Sequence, residues 1–169
     1  ILKESIDLDK DRAKGPVYVY YFRSVTKMAM KGDTDTAAVV DAYDMLSDYI
    51  DINLKRNESN EKKYNQWINI QGNIENTFEP FAQCPDLVRI YQQKYDADPT
   101  NPDLLKKIVK LLDKKKCVED PLYFESTVSL YELEPSPESA YLIGKMYLKQ
   151  ERYTEAIPYM EAATEMEDT

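Results

Sequence analysis

Five short phrases built on one plan recur along this chain: "SIDLDK" from residue 5, "YIDINL" from 49, "KYDADP" from 94, "LYELEP" from 130 and "ATEMED" from 163. Each has an acid at its third place and an acid or Asn at its fifth, with small, apolar or aromatic residues at the second or fourth. Their starts stand 44, 45, 36 and 33 residues apart, so the spacing contracts toward the mid-thirties. Such a period marks stacked helix pairs, because one pair cannot bury its apolar face alone and must lean on its neighbours.

Apolar residues between the phrases recur at three and four, the spacing of one face of a helix. Val39, Tyr43, Leu46 and Ile50 make one stripe, and Tyr64, Trp67, Ile74 and Phe78 a second. Leu105, Ile108, Val109 and Leu112 make a third, and Ala140, Ile143, Gly144 and Tyr147 a fourth. "PVYVYYF" at 16–22 alternates like a strand and is rich in β-formers. Val25 and Met28 extend it as a helical stripe and "KGD" at 31–33 reads as a stop, so the expectation here is a helix. The fold class predicted is all-α.

Composition removes whole classes of chemistry. The chain has no histidine, which excludes Ser-His-Asp and Cys-His nucleophiles and imidazole metal ligands within it. Gly15, Gly32, Gly72 and Gly144 stand too far apart for any phosphate-cradling glycine loop. A net charge of -9 opposes binding to a phosphate backbone, so nucleic acid is not an expected partner. No apolar run approaches the roughly 20 residues that cross a bilayer. The expectation is a chain without cofactor, metal or catalytic residues.

Two acidic runs imitate calcium loops and fail on spacing. "DLDKDR" from Asp7 has Arg12 where the loop needs Gly and Tyr18 where it needs Glu. "DTDTAAVVDAYD" from Asp33 has Ala37 and Ala38 at the fifth and sixth places, and reads better as a helix start capped by Asp35 or Thr36. Asn57-Glu58-Ser59 fits a glycosylation sequon that chance alone supplies.

Cys84 and Cys117 lie equally far from the turn "DPTN" at 98–101. If helices over 86–97 and 102–115 fold back on each other, both cysteines reach the open end of the hairpin. A disulfide there implies an oxidising compartment; two buried thiols in a reducing one are the alternative.

Ala140, Ile143, Gly144, Tyr147, Ala156 and Met160 stand at the spacings W-x2-L-G-x2-Y followed by A-x3-F. The stretch 137–168 therefore resembles a tetratricopeptide repeat (TPR), with Tyr153 and Ala163 also falling where that family is aromatic and small. Ala140 replaces the Trp, Met160 the Phe and Asp168 the closing Pro. Residues 102–135 resemble the repeat less closely, and 14–54 and 58–99 share its architecture at about ten residues over length. The phrase at residue 5 makes 1–10 the end of a preceding repeat. In texture the chain resembles divergent exported TPR proteins of Gram-negative anaerobes.

The resemblance implies a right-handed α-α superhelix of about four helix pairs, a solenoid in which Gly144 and Ala156 are small because helices cross there. It implies a non-catalytic scaffold that binds another protein or peptide in a concave groove lined by the first helix of each pair. On that face stand Asp103, Lys106, Lys110 and Lys114, then Glu138, Tyr141, Lys145, Leu148 and Lys149. The lysines suit an acidic peptide, with Tyr141 and Leu148 as apolar contacts. An exported or periplasmic location goes with this reading; a cytoplasmic one is the alternative. Two other functions stay open: a structural spacer or oligomerisation segment, and a helical hydrolase or lyase using carboxylate and tyrosine acid-base pairs. Pro158, inside the last helix, predicts a bend after Thr154.

Overall fold

The computed structural model describes residues 15–167, and every regular element among them is helical. In order these are α1 (Gly15–Met30), α2 (Thr36–Arg56), α3 (Glu61–Phe78), α4 (Cys84–Ala97), α5 (Pro102–Lys114), α6 (Pro121–Leu133), α7 (Pro137–Lys149) and α8 (Tyr153–Glu167). The strand-like stretch 16–22 lies in α1, where Tyr18, Phe22 and Val25 are buried at helical spacing. The repeat end predicted at 1–10, the acidic run from Asp7 to Arg12, and Asp168 lie outside the described residues.

Side chains in the sequence start the helices. Asp35 Oδ1 accepts the Ala38 N–H, Asn60 Oδ1 that of Lys63, Asn101 Oδ1 that of Leu104, and Asp120 Oδ1 that of Leu122. Ser136 Oγ accepts the Ser139 N–H at the head of α7. Each of these bonds satisfies an otherwise orphaned donor, and a side-chain cap contributes about 1 kcal/mol. Pro102, Pro121 and Pro137 open α5, α6 and α7, where a missing N–H costs nothing.

The chain forms two compact units, one reaching to Ala82 and the other starting at Gln83. In the first, α1 packs on α2 and α2 on α3. Val39, Ala42, Tyr43, Leu46 and Ile50 of α2 are buried against Phe22, Ile74 and Phe78, and Tyr43 stacks on Phe78 with ring centroids 4.1 Å apart. Tyr18 stacks on Tyr49 at 4.8 Å, and Trp67 meets Tyr49 edge-on. Of the predicted α3 stripe, Ile74 and Phe78 are buried, whereas Tyr64 and Trp67 are half-buried. α2 has 21 residues and α3 has 18, against 13 in each of α5, α6 and α7, which accounts for the longer spacing of the first phrases.

In the second unit α4 packs on α5 and α6, α5 on α6, α6 on α7, and α7 most extensively on α8. Leu105, Ile108 and Leu112 of α5 and Leu122 of α6 are fully buried. Gly144, Ala156 and Ala163 are all buried where α7 meets α8. A Cβ at Gly144 would lie 3.0 Å from Met160 Cγ, so the small residue marks a close approach between the two helices. Cys84 and Cys117 form a disulfide, with Cα atoms 5.5 Å apart. Pro158 sits inside α8, which continues through it to Glu167.

Three helices end in one turn. After α1, Asp33 N–H donates to Met28 O and Gly32 N–H to Ala29 O. After α5, Cys117 N–H donates to Leu112 O and Lys116 N–H to Asp113 O; after α7, Arg152 N–H donates to Tyr147 O and Glu151 N–H to Leu148 O. These are Schellman motifs, which require one left-handed residue. Gly32 takes that conformation at φ 78°, but Lys116 (62°) and Glu151 (59°) take it with a Cβ. A left-handed residue with a side chain costs about 1 to 2 kcal/mol. Lys116→Gly and Glu151→Gly are therefore each expected to raise the unfolding free energy by about 1 kcal/mol, after Gly's entropy loss is discounted. Chemical denaturation checks this, and a loss of stability would refute it.

Ser126 of α6 is fully buried, and its Oγ has no hydrogen-bond partner among the described residues. A buried hydroxyl without a partner carries its desolvation penalty unrelieved. Ser126→Ala should stabilise the protein by about 1 kcal/mol, aided by alanine's helix propensity. An unchanged or lower denaturation midpoint would show that a water serves the hydroxyl.

Candidate functional site

Two cavities open side by side in the second unit and share Val118, Met146 and Lys149. The first, about 220 Å³, is walled by Asp113 of α5, Lys116 and Val118 of the α5–α6 turn, Tyr123 of α6, and Leu142, Lys145, Met146 and Lys149 of α7. The second, about 310 Å³, is formed by Val118 to Pro121 with Phe124 and Glu125, and by Met146, Lys149, Gln150 and Arg152. The α5–α6 turn thus forms one wall of both, and the C-terminal part of α7 from Leu142 onward the other.

Their electrostatics differ. Three lysines face one aspartate in the first cavity, over a floor of Val118, Tyr123, Leu142 and Met146. Burial, then the nearby Asp113 carboxylate, raises the Tyr123 phenol above its ordinary pKa, so the hydroxyl stays neutral. In the second cavity the charges mix, with Glu119, Asp120 and Glu125 against Lys149 and Arg152. Much of that charge is already engaged: Lys149 Nζ donates to Glu119 Oε1 at 2.7 Å, Asp120 caps α6, and Arg152 Nε donates to Glu155 Oε1 at 3.0 Å. Arg152 also lies over the Tyr147 ring at 4.6 Å.

The structure brings together some of the residues expected in a groove. Lys145 and Lys149 both line the first cavity, and Lys149 also lines the second. Lys106 is paired with Glu134 of the segment that follows α6. Lys110 and Lys114 stand exposed on α5 and line neither cavity. Tyr141 and Leu148 are exposed on α7 and also line neither; Lys145 Nζ lies 6.0 Å from the Tyr141 ring centroid. Asp113, Lys116, Val118, Tyr123, Leu142 and Met146 complete the first cavity, and none of them stood among the residues expected in a groove. Lys116 lines the cavity from the left-handed position of a Schellman turn, where a Gly would have flagged the turn.

Titration gives the fold an alkaline limit. The hydrogen bond to Glu134 raises Lys106, and burial raises both Tyr123 and Tyr159, the latter helped by Tyr147 and Tyr131. All three hold a proton more tightly folded than unfolded. Their contribution is fully present below about pH 10 and is lost as pH rises through the raised values. Glu155 is lowered by its bond to Arg152, so its contribution is present above the ordinary carboxylate range and lost as pH falls. The melting temperature should therefore fall above about pH 10, and Tyr123→Phe should flatten that fall. An alkaline slope unchanged in Tyr123→Phe would exclude this phenol as a contributor.

Among the described residues no three acidic or thiol groups converge as a metal shell, and no helix is long and apolar enough to cross a membrane. No protein family matches this chain, and no curated protein is similar to it.

Proposed function

We propose that this chain is a non-catalytic scaffold of stacked, TPR-like helix pairs that binds a segment of another protein. The observation that carries the reading is the convergence of Lys116 and Lys145, beside a Lys149 already paired with Glu119, on the apolar lining of the first cavity. A carboxylate-bearing side chain set beside an aliphatic one matches that wall, while the mixed second cavity suits a neutral, apolar neighbour in the segment. The solenoid reading is supported by helices that pack on their neighbours in sequence, by the same turn closing α1, α5 and α7, and by the small residues between α7 and α8. The disulfide favours an oxidising compartment, hence an exported or periplasmic location.

The test is a titration of the labelled protein with an acetylated peptide alternating Glu and Leu, followed by backbone NMR at low salt. Shifts should concentrate at Lys116, Val118, Leu142 and Met146, and Lys116→Glu with Lys145→Glu should weaken binding by about ten-fold or more. A Lys-Leu peptide bound equally well, or shifts spread away from these residues, would remove the reading.

A further inference from the structure

Cys117 occupies the position after the left-handed Lys116 in the turn that walls both cavities. It is 4% exposed, and its neighbours Lys116 and Val118 line the first cavity. Val118, Glu119 and Asp120 line the second. The other end of the bond is the first residue of α4, and that helix start is itself fixed: Asp86 Oδ2 accepts the Gln83 N–H at 3.0 Å. Four backbone bonds close the turn, from the N–H groups of Lys115, Lys116, Cys117 and Asp120 to Leu111 O, Asp113 O, Leu112 O and Cys117 O; all four are local to α5's end and the turn, and they must hold a lysine in the left-handed region. The cross-link is what ties this wall to α4.

We infer that the Cys84–Cys117 bond gates the groove: closed, it holds residues 115–120 as the cavity wall; reduced, it releases that wall and with it the ligand. The inference rests on the groove reading above for its ligand, but not for the motion of the turn. The reductant is a dithiol. Its thiolate attacks Cys84 Sγ, the half-buried sulfur; the S–S bond breaks, Cys117 leaves as a thiolate and takes a proton from water. The second thiol of the reductant then attacks the mixed disulfide, releasing the Cys84 thiolate and the cyclic oxidised reductant. Two electrons pass from the dithiol to the protein.

The experiment compares oxidised and dithiothreitol-reduced protein by amide hydrogen exchange and by affinity for the Glu-Leu peptide. The gate predicts that the Lys116 and Cys117 amides lose about ten-fold or more of their protection on reduction. The Ala156 amide of α8 should lose at least about ten-fold less protection than those two, and the peptide Kd should rise about five-fold or more. The comparison is repeated in the Ser126→Ala background, whose added stability offsets only part of the lost cross-link and so shows whether the pattern of loss depends on overall stability. Unchanged protection at Lys116 and Cys117 overturns the gate. So does equal loss throughout the second unit in both backgrounds, which makes the bond a general brace. If the oxidised protein does not bind the peptide, the groove reading falls while the amides still decide whether the turn is released.

Discussion

Reduction of the Cys84–Cys117 bond lowers the unfolding free energy of the second unit by about 3 to 4 kcal/mol, the largest single effect expected in this chain. The bond closes a separation of 33 residues that contains α4, the turn after it and all of α5. In the unfolded chain that closure removes conformations, and the loop-entropy relation puts the cost of losing it in this range. A domain's whole stability is typically about 5 to 15 kcal/mol, so the change is easily read. Urea unfolding with and without dithiothreitol measures it, followed by hydrogen exchange in α5 and α6. Trp67, the only tryptophan, lies in α3 and reports the first unit by its fluorescence, so the two responses separate. A loss below about 1 kcal/mol would mean that the reduced, unfolded chain keeps the α4–α6 region compact.

Gly144→Leu should cost about 2 kcal/mol, whereas Gly144→Ala should change stability by less than about 0.5 kcal/mol. Two effects oppose each other. Replacing a helical glycine gains about 1 kcal/mol from backbone entropy. Against this, the new Cβ meets Met160 Cγ at 3.0 Å and the methyl and sulfur of the same side chain at 3.1 Å. For alanine, the obstruction is a flexible thioether that can swing aside, so gain and cost nearly cancel. Leucine adds three more carbons where α7 and α8 already touch, and overpacking of that kind costs about 1 to 3 kcal/mol. Met160→Ala in the Gly144→Leu background should restore about half of the loss, which a double-mutant cycle in urea would show. Additive effects of the two substitutions would place the obstruction elsewhere than Met160.

The sequence made the helices easy to find and the cavity hard. Stripes such as Val39, Tyr43, Leu46 and Ile50 announce a buried face because period and burial coincide, and all four are buried. Asn101, Asp120 and Ser136 announce helix starts because their oxygens can reach only nearby amides. The all-helical character was therefore readable, including the strand-like stretch inside α1. The cavity wall was not, for two physical reasons. Lys116 lies in a left-handed turn that its residue type does not signal. Leu142 and Met146 look like ordinary core residues of α7 until α5 and α6 leave space beside them. Counting lysines along a helix found Lys145 and Lys149 but gave equal weight to Lys110 and Lys114, which face solvent, and to Lys106, which is engaged by Glu134.

Helices here pack chiefly on the next or next but one along the chain, as in α5 on α6 and α4 on α6. Contacts so close in sequence close short loops, and low contact order goes with folding in microseconds to milliseconds rather than seconds. A hairpin such as α7 with α8 can then form before distant segments meet it. Emerging from the ribosome, such a chain acquires structure in the order it is synthesised.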